Sequence, residues 1–233
     1  MVPLANGTSD LQLYALLISN SYLKDFYHFY GILTFLISDR WLLTTEPNFE
    51  NVLRKGGLNL SSTPEVLFTI ARTVFHPQYL PKNSTDDYVI KLIEMDRPVS
   101  FGRIFRPICL HPTLDSNLTL DGWAAGYREP RHMPVSLLPQ EECRRLFPPA
   151  TTVGGVLLPD GVTDRHMCAS RTGKSCETGV SWYHLTANNK QRVACTHVLV
   201  GLFLGMTDDG GSCKLLFLRM ASLVPWVESV VWP

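Results

Sequence analysis

The sequence predicts an all-β fold of antiparallel sheets, and three observations predict it. Segments that alternate apolar and polar residues, or are wholly apolar, recur along the whole chain. Turn-forming residues separate them. Only two stretches carry a helical pattern.

Taken in order, the strand segments are residues 11–18, 29–37, 66–74, 88–93, 193–204 and 215–220. Between them lie Lys55-Gly56-Gly57, Pro81-Lys82-Asn83, Pro159-Asp160-Gly161 and Asp208-Asp209-Gly210-Gly211. Glycine supplies backbone angles that other residues resist, proline presets a turn, and Asn and Asp bond their own backbone. The first helix is expected over 139–145, where Glu141 and Glu142 precede Arg144 and Arg145 in the order that complements a helix dipole. The second is expected over 222–231, where Leu223, Val227 and Val230 recur at helical spacing.

A chain of 233 residues can bury a full core, as one large β-barrel domain or two small ones. Hydrophobic residues make up 45%, which argues against disorder. Lys plus Arg equals Asp plus Glu at 21 each, so no nucleic-acid partner is indicated. No stretch is long and apolar enough for membrane insertion. Six cysteines and the Asn-x-Ser/Thr sequons at Asn6, Asn59, Asn83 and Asn117 point to an oxidising, glycosylating compartment and so to an extracellular protein. Asn59, Asn83 and Asn117 fall in polar, turn-like stretches where a glycan would stay solvated. Residues 1–20 lack a basic start and the apolar run 13–18 is short for a secretory leader, so the natural chain is expected to extend upstream.

Five segments share an order with one known family. They are Leu36-Ile37-Ser38-Asp39-Arg40-Trp41-Leu42-Leu43-Thr44-Thr45, Asp86-Asp87-Tyr88-Val89-Ile90-Lys91-Leu92, Arg106-Pro107-Ile108-Cys109-Leu110, Gly122-Trp123-Ala124-Ala125-Gly126-Tyr127 and Val224-Pro225-Trp226-Val227. Together they resemble the trypsin-like (chymotrypsin-fold) serine proteases over nearly the whole chain. The resemblance implies two packed six-stranded antiparallel β-barrels with a short intermediate helix and a C-terminal helix. The expected domain is residues 1–233, with a first barrel over about 10–105, a second over about 116–221 and the terminal helix over about 222–232.

The chemistry of that family rests on serine as nucleophile, histidine as proton shuttle and aspartate as its orienter. The resemblance places Pro47 on the histidine, Asp86 on the aspartate (with Asp87 beside it in an alternative register) and Val180 on the serine. Proline cannot accept a proton and valine offers only methyl groups. The family motif Cys-x-Gly-Asp-Ser-Gly-Gly-Pro reads here Cys176-Glu177-Thr178-Gly179-Val180-Ser181-Trp182-Tyr183. Thr178 thus replaces a glycine of the oxyanion hole, and Gly179 replaces the aspartate that receives a new N-terminus on activation. The match to that N-terminus, Leu4-Ala5-Asn6-Gly7, follows Pro3 rather than a basic residue. Leu204-Gly205-Met206 stand where the family has Ser-Trp-Gly for binding substrate backbone, and Lys174 near the base of its specificity pocket. Ser181 and His184 offer no substitute dyad, since three residues along a strand places them on opposite faces.

The resemblance also implies disulfides Cys143–Cys168 and Cys176–Cys213. The pair that flanks the family's catalytic histidine is missing, with Ile32 and Asn48 in its places. Cys195 is expected either as a buried free thiol or bonded to Cys109, and Cys109 is a candidate tether for an upstream domain. His28, His76, His111, His132, His166 and His197 show no metal-ligand spacing, so no metal and no cofactor is expected. Tyr127-Arg128-Glu129-Pro130-Arg131-His132 and Asp208-Asp209-Gly210-Gly211 are read as solvated loops with a subordinate reading as binding surfaces.

The function these residues imply is that of a secreted, non-catalytic homologue that binds an extracellular protein, such as an active serine protease or its substrate. A hydrolase with a rearranged site and a carrier domain for upstream modules are the alternatives.

Overall fold

The computed structural model describes residues 15–17, 33–45, 58–59, 67–78, 90–101, 107–110, 120–126, 131–154, 156–171, 176, 180–188 and 197–233. The chain divides into two compact units, Met1–Leu80 with Val89–Ile108, and Pro81–Tyr88 with Cys109–Pro233.

In the first unit, β1 (Ala15–Leu17), β2 (Leu33–Leu36), β3 (Trp41–Thr44), β7 (Lys91–Met95) and β6 (Ile70–Phe75) form a sheet in that order, while β4 (Leu58–Asn59) pairs with β5 (Leu67–Phe68). Every neighbouring pair is antiparallel. The β2–β3 turn is closed by Ser38, whose Oγ accepts from the N–H groups of Arg40 at 3.3 Å and Trp41 at 3.1 Å. Arg40 then donates to the Met95 carbonyl at 3.2 Å, which ties this turn to the end of β7. Phe35, Leu36, Leu42, Leu43, Leu92 and Ile93 are buried, consistent with strands that read as near-continuous apolar runs. A polar row crosses the sheet, because Thr34 faces Thr44 and Thr44 faces Lys91, all three fully buried. The Lys91 ammonium sits 5.5 Å from the Phe75 ring centroid.

The second unit holds β10 (Arg131–Pro134), β9 (Leu120–Gly126), β15 (Val180–Asn188), β16 (His197–Asp209), β17 (Ser212–Arg219), β14 (His166–Arg171) and β11 (Ser136–Leu137), hydrogen-bonded in that order. The short β8 (Cys109–Leu110) adds to β16 in parallel. A separate hairpin joins β12 (Thr151–Val153) to β13 (Val156–Leu158). Met167, Ala169, Val200, Cys213, Leu215 and Phe217 form the core cluster.

The intermediate helix spans Gln140–Leu146 and the C-terminal helix Val224–Val231, the latter preceded by a 3-10 turn at Met220–Ser222. The intermediate helix is held in three ways. Its buried Cys143 is disulfide-bonded to Cys168 of β14. The Gln140 side chain donates to the Thr163 carbonyl at 2.9 Å. Arg219, at the end of β17, donates to Gln140 Oε1 at 2.9 Å and to the His166 carbonyl at 2.8 Å.

His166 is buried, and its Nδ1 accepts from the Thr163 N–H at 3.1 Å. Burial holds its pKa below the ordinary 6.5, offset in part by the Thr163 backbone and reinforced by the charges of Arg165 and Arg219. The folded chain therefore resists a proton that the unfolded chain accepts. The His166 contribution to stability is complete above about pH 6.5 and is lost as pH falls from there toward the lowered folded value. Urea unfolding at pH 7 and at pH 5 is expected to show a smaller loss for His166→Gln than for the parent chain. An equal loss would remove His166 from the acid sensitivity.

Candidate active site

The segment matched to the family's nucleophile loop is anchored at Cys176, which is disulfide-bonded to Cys213 at the start of β17. The Cys176 N–H also donates to Asp208 Oδ2 at 3.1 Å, while Asp208 Oδ1 accepts from the Gly211 N–H at 2.9 Å. One carboxylate thus joins the nucleophile-loop segment to the β16–β17 turn. That turn requires its glycines, because Gly210 and Gly211 hold φ of 62° and 86°. The Asp208-Asp209-Gly210-Gly211 segment is therefore a structural clamp as well as a surface turn.

Four residues beyond Cys176, β15 begins at Val180, which pairs with Gly126 of β9. A β-bulge lies between Val180 and Trp182, so Ser181 is the extra residue of the ladder. The expectation that Ser181 and His184 fall on opposite faces relied on unbroken alternation, and the bulge removes that basis. Pro47, Asp86, Asp87, Lys174, Thr178 and Gly179 lie outside the described residues.

Two other expectations change with the strands. Asn59 lies in β4 rather than in a turn, because it pairs with Leu67 of β5 in a short antiparallel ladder. Asn6, Asn83 and Asn117 lie outside the described residues. Arg131 and His132, read as part of an exposed loop, pair with Ala124 and Trp123 as the edge strand β10.

The strand segment Leu204-Gly205-Met206 has an unexpected neighbour. The β12–β13 hairpin lies directly on it. A Cβ on Gly154 would collide with the Leu204 carbonyl oxygen, and Gly154 itself turns with a φ of 55°. A Cβ on Gly205 would stand 2.6 Å from Val153 Cγ2 and 2.8 Å from the Gly154 nitrogen. No signal in the hairpin sequence Thr151–Leu158 announces this contact beyond its alternation and the Gly154-Gly155 pair. Its consequence is that a side chain as large as tryptophan has no room at Gly205. Gly205→Ala is expected to destabilise the chain by about 1–3 kcal/mol, and Gly205→Trp by more. Chemical denaturation checks this, and an unchanged midpoint for Gly205→Trp would mean the hairpin moves freely away from β16.

The cysteines form a framework around this region. Cys109 is disulfide-bonded, and among the described residues no cysteine is free. Cys109 is therefore engaged within the chain and not available as a tether to an upstream domain, while Cys195 lies outside the described residues. Of the histidines, His76 is buried with Nδ1 accepting from the Gln78 N–H at 3.2 Å. Among the described residues, no group of three or more His, Cys, Asp or Glu side chains is arranged to hold a metal ion.

The strand order, the helix tied by disulfide to β14 and the Cys176–Cys213 bond together define a domain of the trypsin-like serine protease class. Residues 30–201 match the family described as Trypsin, and the chain belongs to that family. It is 31% identical over 130 residues to transmembrane protease serine 9 of Rattus norvegicus, a match covering 48% of this chain and 12% of that protein. It is 26% identical over 147 residues to kallikrein-14 of Homo sapiens, covering 55% of this chain and 54% of that one. With serine protease ea of Drosophila melanogaster it shares 26% identity over 211 residues, 82% of this chain and 50% of that protein. The chain thus spans about half, or less, of the length of these relatives. Among solved structures, kallikrein-related peptidase 10 superposes with a TM-score of 0.58 at 19% identity, covering 86% of this chain and 89% of that one. Neuropsin, a serine protease expressed in mouse brain, gives 0.55 at 18% identity, covering 86% and 88%. These two show the chymotrypsin-type fold, which in such proteins comprises two β-barrel-like domains.

Proposed function

We propose that this chain is a secreted, non-catalytic member of the Trypsin family that acts by binding another extracellular protein, as a cofactor or regulator in a protease cascade. One observation carries the reading. Counted from Cys176, the cysteine anchored to Cys213, the position that bears the attacking hydroxyl in the family motif is Val180. A methyl group cannot attack a carbonyl. Counted from Trp41 of β3, the position of the proton shuttle is Pro47, which has no group to accept a proton. The hairpin laid on Leu204 and Gly205 supports the same reading, since it occupies the strand segment where the family binds substrate backbone.

Secretion rests on chemistry of the same kind. The disulfide framework and the four sequons suit an oxidising, glycosylating compartment. Among the described residues, no helix is long and apolar enough to cross a membrane. The proposed partner is an active serine protease or its protein substrate.

Loss of a whole triad costs about a million-fold in turnover, so a fluorophosphonate probe is expected to leave the folded chain unlabelled. Stoichiometric labelling, mapped by peptide mass to Ser181 or any other serine, would replace this reading with that of a hydrolase using a rearranged site.

Restoring both groups tests how far the departure extends. The double variant Val180→Ser, Pro47→His is expected to show no esterase or amidase activity, because Thr178, Gly179 and the covered strand at Gly205 are unchanged. Clear turnover of a small ester by that variant would show that only two residues separate the chain from an enzyme.

A further inference from the structure

Beside the Cys176–Cys213 bond lies a buried cation that nothing described above employs. Lys214 follows Cys213 in β17 and is only 9% exposed, and register places it between Ser170 of β14 and Thr207 of β16. Its Nζ donates to Ser170 Oγ at 3.2 Å. Ser170 Oγ in turn lies 3.1 Å from Ser212 Oγ. Among the described residues, Lys214 takes part in no ion pair. Asp209, which register sets opposite Ser212, is exposed and does not reach it. Asp208 is committed to Cys176 and Gly211.

A donor count shows what is left over. The ammonium has three N–H groups, of which Ser170 accepts one. Whichever serine donates to the other, one hydroxyl hydrogen of the pair remains. Two N–H groups and one O–H therefore point to no protein acceptor among the described residues, in a nearly buried site. Burying a cation with a single neutral partner is costly, and a carboxylate offers the missing charge together with two acceptor oxygens. Access is from the Ser212 end, since Ser212 is only half-buried and open space surrounds the turn at Gly210 and Gly211.

We propose that Lys214, Ser170 and Ser212 form a carboxylate-binding subsite. The site stands on its own geometry, independent of whether the chain hydrolyses anything. That its carboxylate comes from an acidic side chain of a protein partner rests on the binding function proposed above.

The test is thermal melting of the intact chain as sodium acetate replaces sodium chloride at constant pH and ionic strength. A saturable rise in melting temperature is expected with acetate, because a ligand that binds only the folded state stabilises it. In Lys214→Met the acetate midpoint is expected to rise about tenfold or more, the loss of one charge-assisted contact. Methionine fits the buried stem, and Ser170→Ala, expected to raise the midpoint several-fold, provides a second variant should the first not fold. No shift with acetate, or a shift that survives both substitutions, overturns the site. A capped Gly-Glu-Gly peptide, compared with its Gly-Gln-Gly counterpart, identifies the source. Binding of the glutamate peptide tighter than acetate supports a partner's side chain. Peptide binding no tighter than acetate assigns a free small carboxylate and overturns the partner assignment alone.

Discussion

The ladder between β16 and β17 is the constraint on which the second unit depends. It runs from Gly201 opposite Arg219 to Asp209 opposite Ser212. In that register Phe203 meets Phe217, with ring centroids 5.9 Å apart, and Met206 meets Leu215. Both faces of β17 are covered, and a slip of one residue would replace Leu215 and Phe217 with Lys214 and Leu216 on the face that packs against Met167, Ala169 and Val200. The glycine turn and its Asp208 contact hold the near end of the ladder, and Arg219 ties the far end to the intermediate helix. Cys213 can reach Cys176, and Lys214 can reach Ser170, only in this register.

Two lysines buried among the described residues differ in their surroundings. Lys91 lies in the first unit within a run of wholly buried residues, with an aromatic ring near its ammonium. An aromatic face attracts a cation through its quadrupole and repels an anion. Lys214 has hydroxyl oxygens instead, which can pass hydrogen bonds onward. The same residue type is thereby part of a core in one unit and a donor array in the other.

Much of the fold was legible because the apolar segments are long and their punctuation is strong. Residues 29–37 contain β2, residues 88–93 and 215–220 overlap β7 and β17, and the charge order around Cys143 marks a helix that forms over Gln140–Leu146. The cysteine spacing, once the resemblance was drawn, named both bonds that form at Cys143 and Cys176. What escaped was set by tertiary contact. The β12–β13 hairpin has six strand residues and lies in close contact with β16, which its own sequence does not announce. The bulge at Ser181 is a property of the β9–β15 ladder, which no single strand reveals. Lys214 reads in sequence as one more polar residue at a strand entrance, since its burial depends on β14 lying alongside.

The contact at Gly205 also bears on how such a chain can change over generations. A side chain at that position becomes tolerable only after Val153 and Gly154 have moved aside, and the glycine at 154 is itself needed for the hairpin to lie so close. Each position is thus admissible only in the presence of the other's present state. Substitutions there act as a ratchet, in which a single step back from either residue meets a steric barrier and a return requires remodelling the hairpin before the strand.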